Sequence, residues 1–338
     1  MILNFEFKAS CNDPDFILTK LNKLGAHYKG EDLQEDTYFN TPKGRLKLRK
    51  GNIENSLIFY ERSNEAKARN SQIVLEKFQG TTQLDEVLEK AYGIKTIVTK
   101  KRKIFFIENV KFHVDFLEGL GSFFEVEAID LDGSIGSQSL REQCLHYQEV
   151  FNIKADDINK QSYSDMIITQ GEKVVEEVSE KLSSFIPEIL NEMSKKSISF
   201  EKLYMDHVCY RVETKAQYEM WRAKFILCGR ELSCTKVGGR VISTFKLFNP
   251  IIVEGREIQV IELPMPKEGS PYKEGFEHVE FVITDTFEDF IKKNSTLEFE
   301  LKGMDKDLNK DVKLSLGDKS VKFHHQSLEN VIYLERLS

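Results

Sequence analysis

Charged side chains recur at a spacing of two residues along the first half of the chain. The segments with this spacing are Glu6-x-Lys8, Arg45-x-Lys47-x-Arg49, Lys100-x-Arg102, His113-x-Asp115 and Glu125-x-Glu127. Side chains two apart on a β-strand share a face of the sheet, and apolar residues stand between the charges in most of these segments. Each segment is therefore predicted to be a strand with one charged face and one apolar face.

The charged faces allow two interpretations. One is the solvated outer face that half-buried strands ordinarily have. The other is the lining of a closed or nearly closed barrel, and the repetition of such faces within one sheet favours it. Lysine and arginine bind phosphate oxygens, and clustered carboxylates bind Mg²⁺ or Mn²⁺. A lining with both kinds of group predicts a site for a polyphosphate and its metal.

A second pattern, in the latter half of the chain, consists of histidine and glutamate on predicted strands. His207 precedes Glu262 by 55 residues, and His278 precedes Glu335 by 57 residues. The sequence between each pair indicates strand, helix and further strands, which predicts two copies of a β-α-β-β-β unit. Two imidazoles and two carboxylates suit Ni²⁺, Zn²⁺, Co²⁺, Fe²⁺ or Mn²⁺. The alternative is a buried polar cluster whose members satisfy one another without a metal.

The elements that must position these residues divide the chain into two domains. Alternation of apolar and polar residues predicts an antiparallel sheet with a few helices in the first domain. The predicted strands are 1–8, 37–40, 45–49, 56–62, 72–77, 103–108, 111–117 and 122–128. Apolar residues three and four apart predict a helix over 172–195, and the boundary is placed at 168–172, in the segment Ile168-Thr169-Gln170-Gly171. The domains are therefore 1–168 and 172–338.

Composition excludes several classes of protein. The 338 residues carry 48 basic and 55 acidic side chains, and the net charge of −7 argues against a protein that binds nucleic acid over its whole surface. No apolar run approaches the ~20 residues of a membrane-spanning helix, and nothing at the N-terminus resembles a signal peptide. The five cysteines are scattered without a CxxC pair, which indicates reduced thiols. We expect a cytoplasmic protein that binds neither membrane nor nucleic acid, and the sequence leaves its oligomeric state open.

Several motifs of the first domain together resemble a known superfamily. The motifs are Glu6-x-Lys8, Gln34-x-Asp36-Thr37-Tyr38-Phe39, Gly44-Arg45-Leu46-Lys47-Leu48-Arg49, Tyr60-Glu61-Arg62, Lys100-x-Arg102, His113-x-Asp115, Leu120-Gly121-x-Phe123-x-Glu125-x-Glu127 and Ser162-Tyr163-Ser164-Asp165. The first is similar to the end of the E-x-E-x-K signature of the CYTH superfamily, and the set resembles its class IV adenylyl cyclase-like branch. The resemblance covers about residues 1–168. It implies an eight-stranded antiparallel triphosphate tunnel with helices, in an α+β chain.

The resemblance also implies roles for individual residues. The residues that would hold the triphosphate are Lys8, Lys47, Arg49, Lys100 and Arg102, with Arg62 and Arg69 as weaker candidates. The residues that would hold Mg²⁺ or Mn²⁺ are Glu6, Glu125 and Glu127, with Asp115 as a further candidate. The residues expected to take part in catalysis are Glu6, Lys8, Asp115, Glu125 and Glu127.

One position departs from the family signature. Asn4 stands where the first glutamate of E-x-E-x-K is expected. An amide oxygen can coordinate Mg²⁺, but it brings no charge. We therefore expect weaker metal binding, or one metal fewer, and we expect triphosphate binding to survive this change more readily than turnover.

The second domain resembles the vicinal oxygen chelate superfamily and, more closely, its YecM-like branch. The matching segments are Asp206-His207-x-Cys209-Tyr210-Arg211, Val237-Gly238-Gly239-Arg240, Ile261-Glu262-Leu263-Pro264, Gly269-Ser270-Pro271-Tyr272, Glu277-His278-x-Glu280-Phe281, Lys322-Phe323-His324 and Ser327-Leu328-Glu329. Glyoxalase-like members of that superfamily use a His/Glu/His/Glu metal set, which His207, Glu262, His278 and Glu335 would supply here. The resemblance implies a glyoxalase-like fold and no particular reaction. Gly238 and Gly239 predict a turn, because no P-loop lysine and hydroxyl follow them.

The patterns leave three functional hypotheses. The first is a metal-dependent enzyme that hydrolyses a triphosphate, organic or inorganic, or cyclises it as an adenylyl cyclase with loss of pyrophosphate. The second is a non-catalytic sensor that binds a nucleotide or polyphosphate and passes its occupancy to the second domain. The third places the chemistry at the metal site of the second domain, as a lyase, isomerase or dioxygenase. We favour the first hypothesis. The sequence does not distinguish a hydrolase from a cyclase.

Overall fold

The computed structural model describes residues 3–61, 73–78, 83–267, 269 and 272–337. The chain divides into two compact units, Met1–Ile168 and Thr169–Ser338. Within the described ranges, no helix has both the length and the apolar character that a membrane crossing requires.

The first unit is built on an eight-stranded antiparallel sheet. Its strands are β1 (Leu3–Ser10), β2 (His27–Phe39), β3 (Arg45–Gly51), β4 (Ser56–Tyr60), β5 (Ile73–Lys77), β6 (Ile94–Ile107), β7 (Val110–Leu117) and β8 (Gly121–Asp130). They lie in the order β1-β8-β7-β6-β2-β3-β4-β5, and each strand is antiparallel to its neighbours. The predicted fold class of this region is confirmed.

Helices cover the apolar face of this sheet. They include α1 (Pro14–Lys23), α2 (Leu84–Tyr92) and α3 (Ser137–Val150). Asp13 caps α1, because its Oδ1 accepts the N–H of Phe16 at 2.9 Å and a proline follows it in the first turn. Val114 stands between His113 and Asp115 on β7, and Val126 stands between Glu125 and Glu127 on β8; both are buried in one core with residues of α1 and α3. The charged side chains of these strands therefore lie on the opposite face of the sheet.

Strands β2 and β6 are much longer than the predicted segments 37–40 and 103–108. The apolar and polar alternation that marks a half-buried strand is missing from the added part of β2. Asp32, Gln34 and Asp36 are all buried there, although they are polar. The sequence signal is absent because this face of the sheet buries charged and polar groups in place of apolar ones.

Helix α4 (Tyr163–Lys195) begins well before the predicted start at residue 172, so the predicted boundary segment 168–171 is helical. Gly171 has a packing reason to stand inside a helix. A Cβ at this position would lie 2.4 Å from the carbonyl oxygen of Leu227. The glycine that indicates a break in the sequence therefore permits a close backbone approach in the structure.

The second unit is built on a seven-stranded mixed sheet. Its strands are β9 (Tyr204–Arg211), β10 (Gly229–Val237), β11 (Arg240–Val253), β12 (Arg256–Pro264), β13 (Gly275–Val282), β14 (Asp311–Leu316) and β15 (Lys319–His324). They lie in the order β10-β11-β12-β9-β13-β15-β14. Its further helices include α5 (Lys215–Cys228), α6 (Phe287–Lys293) and α7 (Leu328–Leu337). The predicted turn at Gly238 and Gly239 is confirmed, since both have positive φ between β10 and β11.

The prediction of a strand around Glu335 is wrong, because this residue is exposed on helix α7. The hydroxyl of Ser327 accepts the N–H of Asn330 at 3.3 Å near the start of that helix. Val331 and Ile332 are buried side by side, as on the inner face of a helix and not on a strand. The second half of the sheet therefore follows the predicted repeat through β13, α6, β14 and β15, and a helix follows in place of another strand.

Candidate functional site

The strand register brings the charged segments of the first unit onto one face of its sheet. Residues directly opposite each other on neighbouring strands share a face. The opposed pairs that continue this face across the sheet are Glu6–Glu127, Lys8–Glu125, Glu125–His113, Asp115–Arg102, Val98–Asp36, Asp36–Arg49 and Tyr38–Lys47. We call this surface the charged face.

Asp36 is the centre of one cluster on the charged face. Lys47 Nζ lies 2.8 Å from its Oδ2, and Arg49 binds both oxygens at 2.7 and 2.8 Å. Lys100 Nζ lies 3.6 Å from the same carboxylate. Burial alone would raise the pKa of Asp36, but the charges of the three cations, that of Lys100 above all, hold it well below its usual value. Three cations thus meet one buried carboxylate, and with the exposed Glu54 3.6 Å from Arg49 the cluster still has an excess of positive charge.

Lys100 is the most perturbed of these cations. Its side chain is buried, and burial together with the neighbouring charge of Arg102 lowers its pKa to about 7 in spite of Asp36. Burial also lowers the pKa of Lys47. An anion at this place would favour the protonated form of both amines, so the cluster is suited to an anionic ligand.

Arg102 is the centre of a second cluster on the charged face. It donates to both oxygens of Asp115, at 2.7 and 2.5 Å, and to Glu125 at 2.6 Å. The hydroxyl of Tyr163 donates to Asp115 at 2.8 Å. His113 Nδ1 lies 3.2 Å from Glu125, and burial together with Arg102 lowers the pKa of His113 to about 4. Asp115 therefore fixes the guanidinium of Arg102, and its own oxygens are engaged.

Two carboxylates face each other at the β1 side of the charged face. Glu6 stands directly opposite Glu127 in the register of β1 and β8, and Glu6 is exposed. Lys111 of β7 is directly opposite Glu127 on its other side, so Glu127 lies between Glu6 and a lysine in the register. Asn4 does not add a charge, and its Nδ2 donates to Glu127 Oε1 at 2.9 Å. The donors present are hard oxygens, which fit Mg²⁺ or Mn²⁺.

Of the remaining basic residues predicted to bind the triphosphate, the structure describes Lys8 alone. Lys8 is opposite Glu125; its ammonium lies 4.2 Å from the ring centroid of Tyr163 and donates to the carbonyl of Gln161. Arg62 and Arg69 lie outside the described residues. Lys8 therefore lies between the carboxylates of β1 and β8 and the residues that begin α4.

The second unit has its own cluster of histidine, glutamate and lysine side chains. An approximate two-fold axis relates the two halves of its sheet and shows which residues of the cluster correspond. Val208 of β9 is opposite Val279 of β13 in an antiparallel pair, and each of these strands has a parallel outer neighbour. A rotation about this pair relates His207 to His278. It also relates Glu262, which is opposite Cys209, to Lys322, which is opposite Glu280. The second half of the sheet thus has a lysine where the first half has a glutamate.

The two histidines converge on one carboxylate. Glu280 Oε1 lies 3.4 Å from His207 Nε2 and 3.2 Å from His278 Nε2. Glu262 lies 3.7 Å from His278 Nε2. These donors are the kinds that bind transition metals, and His207, His278 and Glu280 lie close enough together to share one ion. Glu335, the fourth predicted ligand, is exposed on helix α7, and the structure does not bring it together with the other three in the described clusters.

Carboxylates hold the outer nitrogens of both histidines. Asp206 lies 2.8 Å from His207 Nδ1, and Glu277 lies 2.7 Å from His278 Nδ1. Such contacts fix ring orientation and direct Nε2 toward a metal. Burial alone would lower the pKa of His207, but Glu280 and Asp206 raise it to about 10.

Lys322 is a cation inside this cluster. Its Nζ lies 2.6 Å from Glu280 Oε1 and 3.2 Å from His278 Nε2. It therefore competes for the atoms that a metal would use. Sequence reasoning missed both Glu280 and Lys322 as members of the site. Glu280 had a detectable signal, because it is two residues from His278 on the same strand, whereas the position of Lys322 depends on the register of β13 and β15.

Comparison with known proteins gives a match for each unit. Residues 3–161 match the family model of the CYTH domain, and residues 174–335 match the family model of the YecM protein. Protein YecM of Escherichia coli is 34% identical over 110 residues, which are 32% of this chain and 58% of that protein. The chain thus spans a little over half the length of that relative.

Similarity to the first unit comes from other proteins. A Methanocaldococcus jannaschii protein described as "Putative adenylate cyclase" is 25% identical over 177 residues, which are 49% of this chain and 98% of that protein. A solved structure from Vibrio parahaemolyticus with the same description covers 49% of this chain and 97% of its own, at 21% identity and a TM-score of 0.42. The family resemblances inferred from the motifs are confirmed by the two family models.

Proposed function

For a chain that joins a CYTH domain to a YecM domain, we propose that the first domain binds a triphosphate together with Mg²⁺ or Mn²⁺ and cleaves one of its phosphoanhydride bonds. The observation that carries this proposal is the cluster at Asp36, where three cations meet one buried carboxylate. Excess positive charge on a buried polar face needs an anion, and a triphosphate supplies several charges along a short chain.

The distribution of charge along the charged face indicates where the phosphates and the metal of the ligand would lie. The cluster at Asp36 has excess positive charge, whereas Glu6 and Glu127 face each other near β1. Phosphate oxygens would bind Lys47, Arg49 and Lys100, and the two glutamates would hold the metal. Held by Glu6 and Glu127, a divalent ion would supply positive charge against the phosphate that leaves.

The remaining groups of the charged face would position the ligand. Arg102 is held on both sides by Asp115 and Glu125, so its guanidinium has little freedom to turn. A fixed cation stabilises developing charge without reorganising at the moment of reaction. His113 is neutral near pH 7, because burial and Arg102 lower its pKa to about 4, so it adds no charge to the face.

Product analysis tests this proposal. ATP, GTP, thiamine triphosphate and inorganic triphosphate are each incubated with the purified chain and Mg²⁺ or Mn²⁺. We expect either cyclic nucleotide with pyrophosphate or phosphate with a diphosphate, and the first pair of products would assign cyclisation and the second hydrolysis. Tight binding without turnover would favour a sensor, and a chain that neither binds nor cleaves a triphosphate would contradict the proposal.

A matched pair of variants locates the reaction. Lys100→Met removes a buried cation of the charged face, whereas Lys101→Met changes the next residue, which points to the other face of β6 and is exposed. We expect only the first variant to lose triphosphate binding. Equal losses in both variants would place the site elsewhere.

A second candidate function is metal binding in the second domain, by His207, His278, Glu280 and Glu262. The observation that favours it is the approach of both Nε2 atoms to Glu280 while carboxylates hold both Nδ1 atoms. Equilibrium dialysis with Ni²⁺, Zn²⁺, Co²⁺, Fe²⁺ and Mn²⁺ tests it. His278→Gln should lose the ion and His325→Gln, at an exposed histidine of the same domain, should keep it.

A further inference from the structure

A short segment, residues 161–165, binds basic side chains from distant strands of the first unit's sheet. Lys8 of β1 donates to the carbonyl oxygen of Gln161, and Arg45 of β3 donates to the hydroxyl of Ser162 at 2.8 Å. Strands β1 and β3 have four strands between them, which in a flat sheet would separate them by about 24 Å, more than two side chains span. The sheet therefore curls around this segment, which lies on the concave, charged face.

The ring of Tyr163, in the middle of this segment, contacts two ammonium groups of the charged face. Lys8 Nζ lies 4.2 Å from the ring centroid, and Lys100 Nζ lies 5.5 Å from it. An ammonium group over an aromatic ring is attracted to it, and the attraction is stronger where water is excluded. Tyr163 is 7% exposed. Two amines from strands β1 and β6 thus share one buried aromatic neighbour.

The hydroxyl of Tyr163 fixes a third basic group through a carboxylate. It donates to Asp115 Oδ2 at 2.8 Å, and the same oxygen accepts from Arg102 Nη2 at 2.5 Å. Phe123, which is directly opposite Asp115 in the register, packs edge-on against the tyrosine ring at a centroid distance of 5.1 Å. The ring is therefore held at its hydroxyl and by its neighbour, and one buried side chain orients three of the basic groups proposed to bind phosphate.

The fixed positions of these basic groups favour a phosphate chain of a particular length. Each amine has a further partner of its own, because Lys100 lies 3.6 Å from Asp36 and Lys8 binds the carbonyl of Gln161. These separate partners hold the two amines apart. A chain of three phosphates has charged oxygens along its length and is able to bind several fixed cations at once, and each further contact costs little additional ordering. A shorter chain contacts fewer of them.

We propose that Tyr163 is a positioning residue: it holds these basic groups at the spacing of a triphosphate and thereby makes the charged face prefer three phosphates over two. This inference rests on the proposed function of the first domain. It goes beyond that function, because neither the proposed reaction nor the family matches give Tyr163 a role.

Calorimetric titration of the full chain without divalent metal tests the inference, because the proposed cleavage needs the metal and binding is then measured alone. Inorganic phosphate, pyrophosphate and inorganic triphosphate are titrated separately into the wild type and each variant. The quantity compared is the ratio of triphosphate affinity to pyrophosphate affinity. An unfolded fraction lowers both affinities by the same factor, so a loss of stability alone leaves this ratio unchanged.

Three variants separate the parts of the side chain. In Tyr163→Leu both lysines are ordered only when the ligand binds, so triphosphate affinity should fall by about tenfold and pyrophosphate affinity by about threefold or less. Tyr163→Phe keeps the ring and should restore most of the ratio, since it lacks only the bond to Asp115. Tyr92→Leu removes an exposed tyrosine of α2 and should keep the ratio of the wild type.

The outcomes separate this inference from the proposed function. A ratio in Tyr163→Leu equal to that of the wild type overturns the inference and leaves triphosphate binding standing. A wild type that binds pyrophosphate as tightly as triphosphate also overturns it. Equal loss of the ratio in Tyr163→Phe and Tyr163→Leu would overturn the role of the ring. A chain that binds none of the three ligands overturns both proposals.

Discussion

Both domains have a cluster of acidic and basic side chains, but basic groups outnumber carboxylates in the first cluster and histidines and carboxylates outnumber ammonium groups in the second. On the charged face of the first domain, Lys47, Arg49 and Lys100 meet the single carboxylate of Asp36. In the second domain, histidines and glutamates surround the single ammonium group of Lys322. An excess of fixed positive charge favours an anionic ligand, and an excess of lone pairs favours a cation. The ratio of the groups, more than their identity, separates the two sites.

Buried Lys100 and half-buried Lys322 show the difference most directly. Burial lowers the pKa of both, but Arg102 lowers that of Lys100 further, to about 7. Glu280 and Glu262 outweigh burial at Lys322 and raise its pKa above the ordinary value. Lys100 therefore loses its proton readily when no anion is bound. Lys322 keeps its proton and acts as a counter-ion to the glutamates.

Removing the central carboxylate of the first domain gives the largest expected effect. In Asp36→Asn buried Lys47 and Lys100 and half-buried Arg49 lose their counter-charge, which should lower the free energy of unfolding by about 3–5 kcal/mol. Urea unfolding of the full chain measures this loss in the transition of the first domain. Inorganic triphosphate should stabilise the variant more than the wild type.

The matched control for this change is Glu35→Gln. Glu35 is the preceding residue of β2, and it is exposed on the other face. It should lose well under 1 kcal/mol, as surface substitutions usually do. Equal losses in the two variants would show that Asp36 is not the centre of an excess of positive charge.

Removing the central cation of the second domain should improve metal binding. Lys322→Met frees Glu280 Oε1 and His278 Nε2, so the affinity for Ni²⁺ or Zn²⁺ should rise by about tenfold to a hundredfold, or 1.4 to 2.8 kcal/mol. Competition with a chelator measures the constant. An unchanged affinity would mean that the ammonium group does not oppose the metal, and the contrast with Lys100 would then fail.

The pH dependence of triphosphate binding tests Lys100. A bound polyanion favours the protonated amine, and the pKa of Lys100 in the free protein is about 7. The contribution of Lys100 to triphosphate affinity is therefore fully present below pH 7. It is lost as the pH rises above 7, by up to about tenfold in affinity per pH unit. Binding of inorganic triphosphate is measured from pH 6 to pH 9.

Lys100→Arg is the matched variant for this titration. Its guanidinium stays protonated over the whole range, and the ligand's own titration is the same for both proteins. The difference between the wild type and the variant should appear only above pH 7. Parallel curves would exclude Lys100 as the group that takes up the proton.

Restoring a carboxylate at position 4 should have the smallest effect. Asn4→Glu adds a charge beside Glu6 and Glu127, which should tighten Mg²⁺ or Mn²⁺ binding by about threefold at this exposed place. The metal dependence of triphosphate cleavage measures the change, with Asn4→Gln as the control. A large gain in turnover would indicate a decayed catalytic site, and no gain would indicate one adapted to the amide.

Local sequence patterns were sufficient for part of this fold. Alternation along a strand is built into the backbone, so the spacing of Glu125 and Glu127 showed that they share a face. The glycine pair at 238–239 acts over a few residues and was equally readable. The family motifs extended this information to the fold class of both domains.

The tertiary structure alone decided which charges meet. Asp36 became the centre of a cluster because the register of β2 with β3 and β6 places it between Arg49 and the strand of Lys100. Burial of its polar neighbours also removed the alternation that marks a strand. The sequence had no signal for these pairings, because they join segments that are distant along the chain.

The second domain shows the same division between local and distant information. The sequence predicted His207, His278 and Glu262 as ligands, and the structure brings these three together around one cluster. Glu335, predicted from the same spacing, lies on a helix outside that cluster. The parallel pairing of β13 with β15 placed Lys322 at the position related to Glu262. A local pattern determines the face on which a side chain lies, and only the register between strands determines what it meets there.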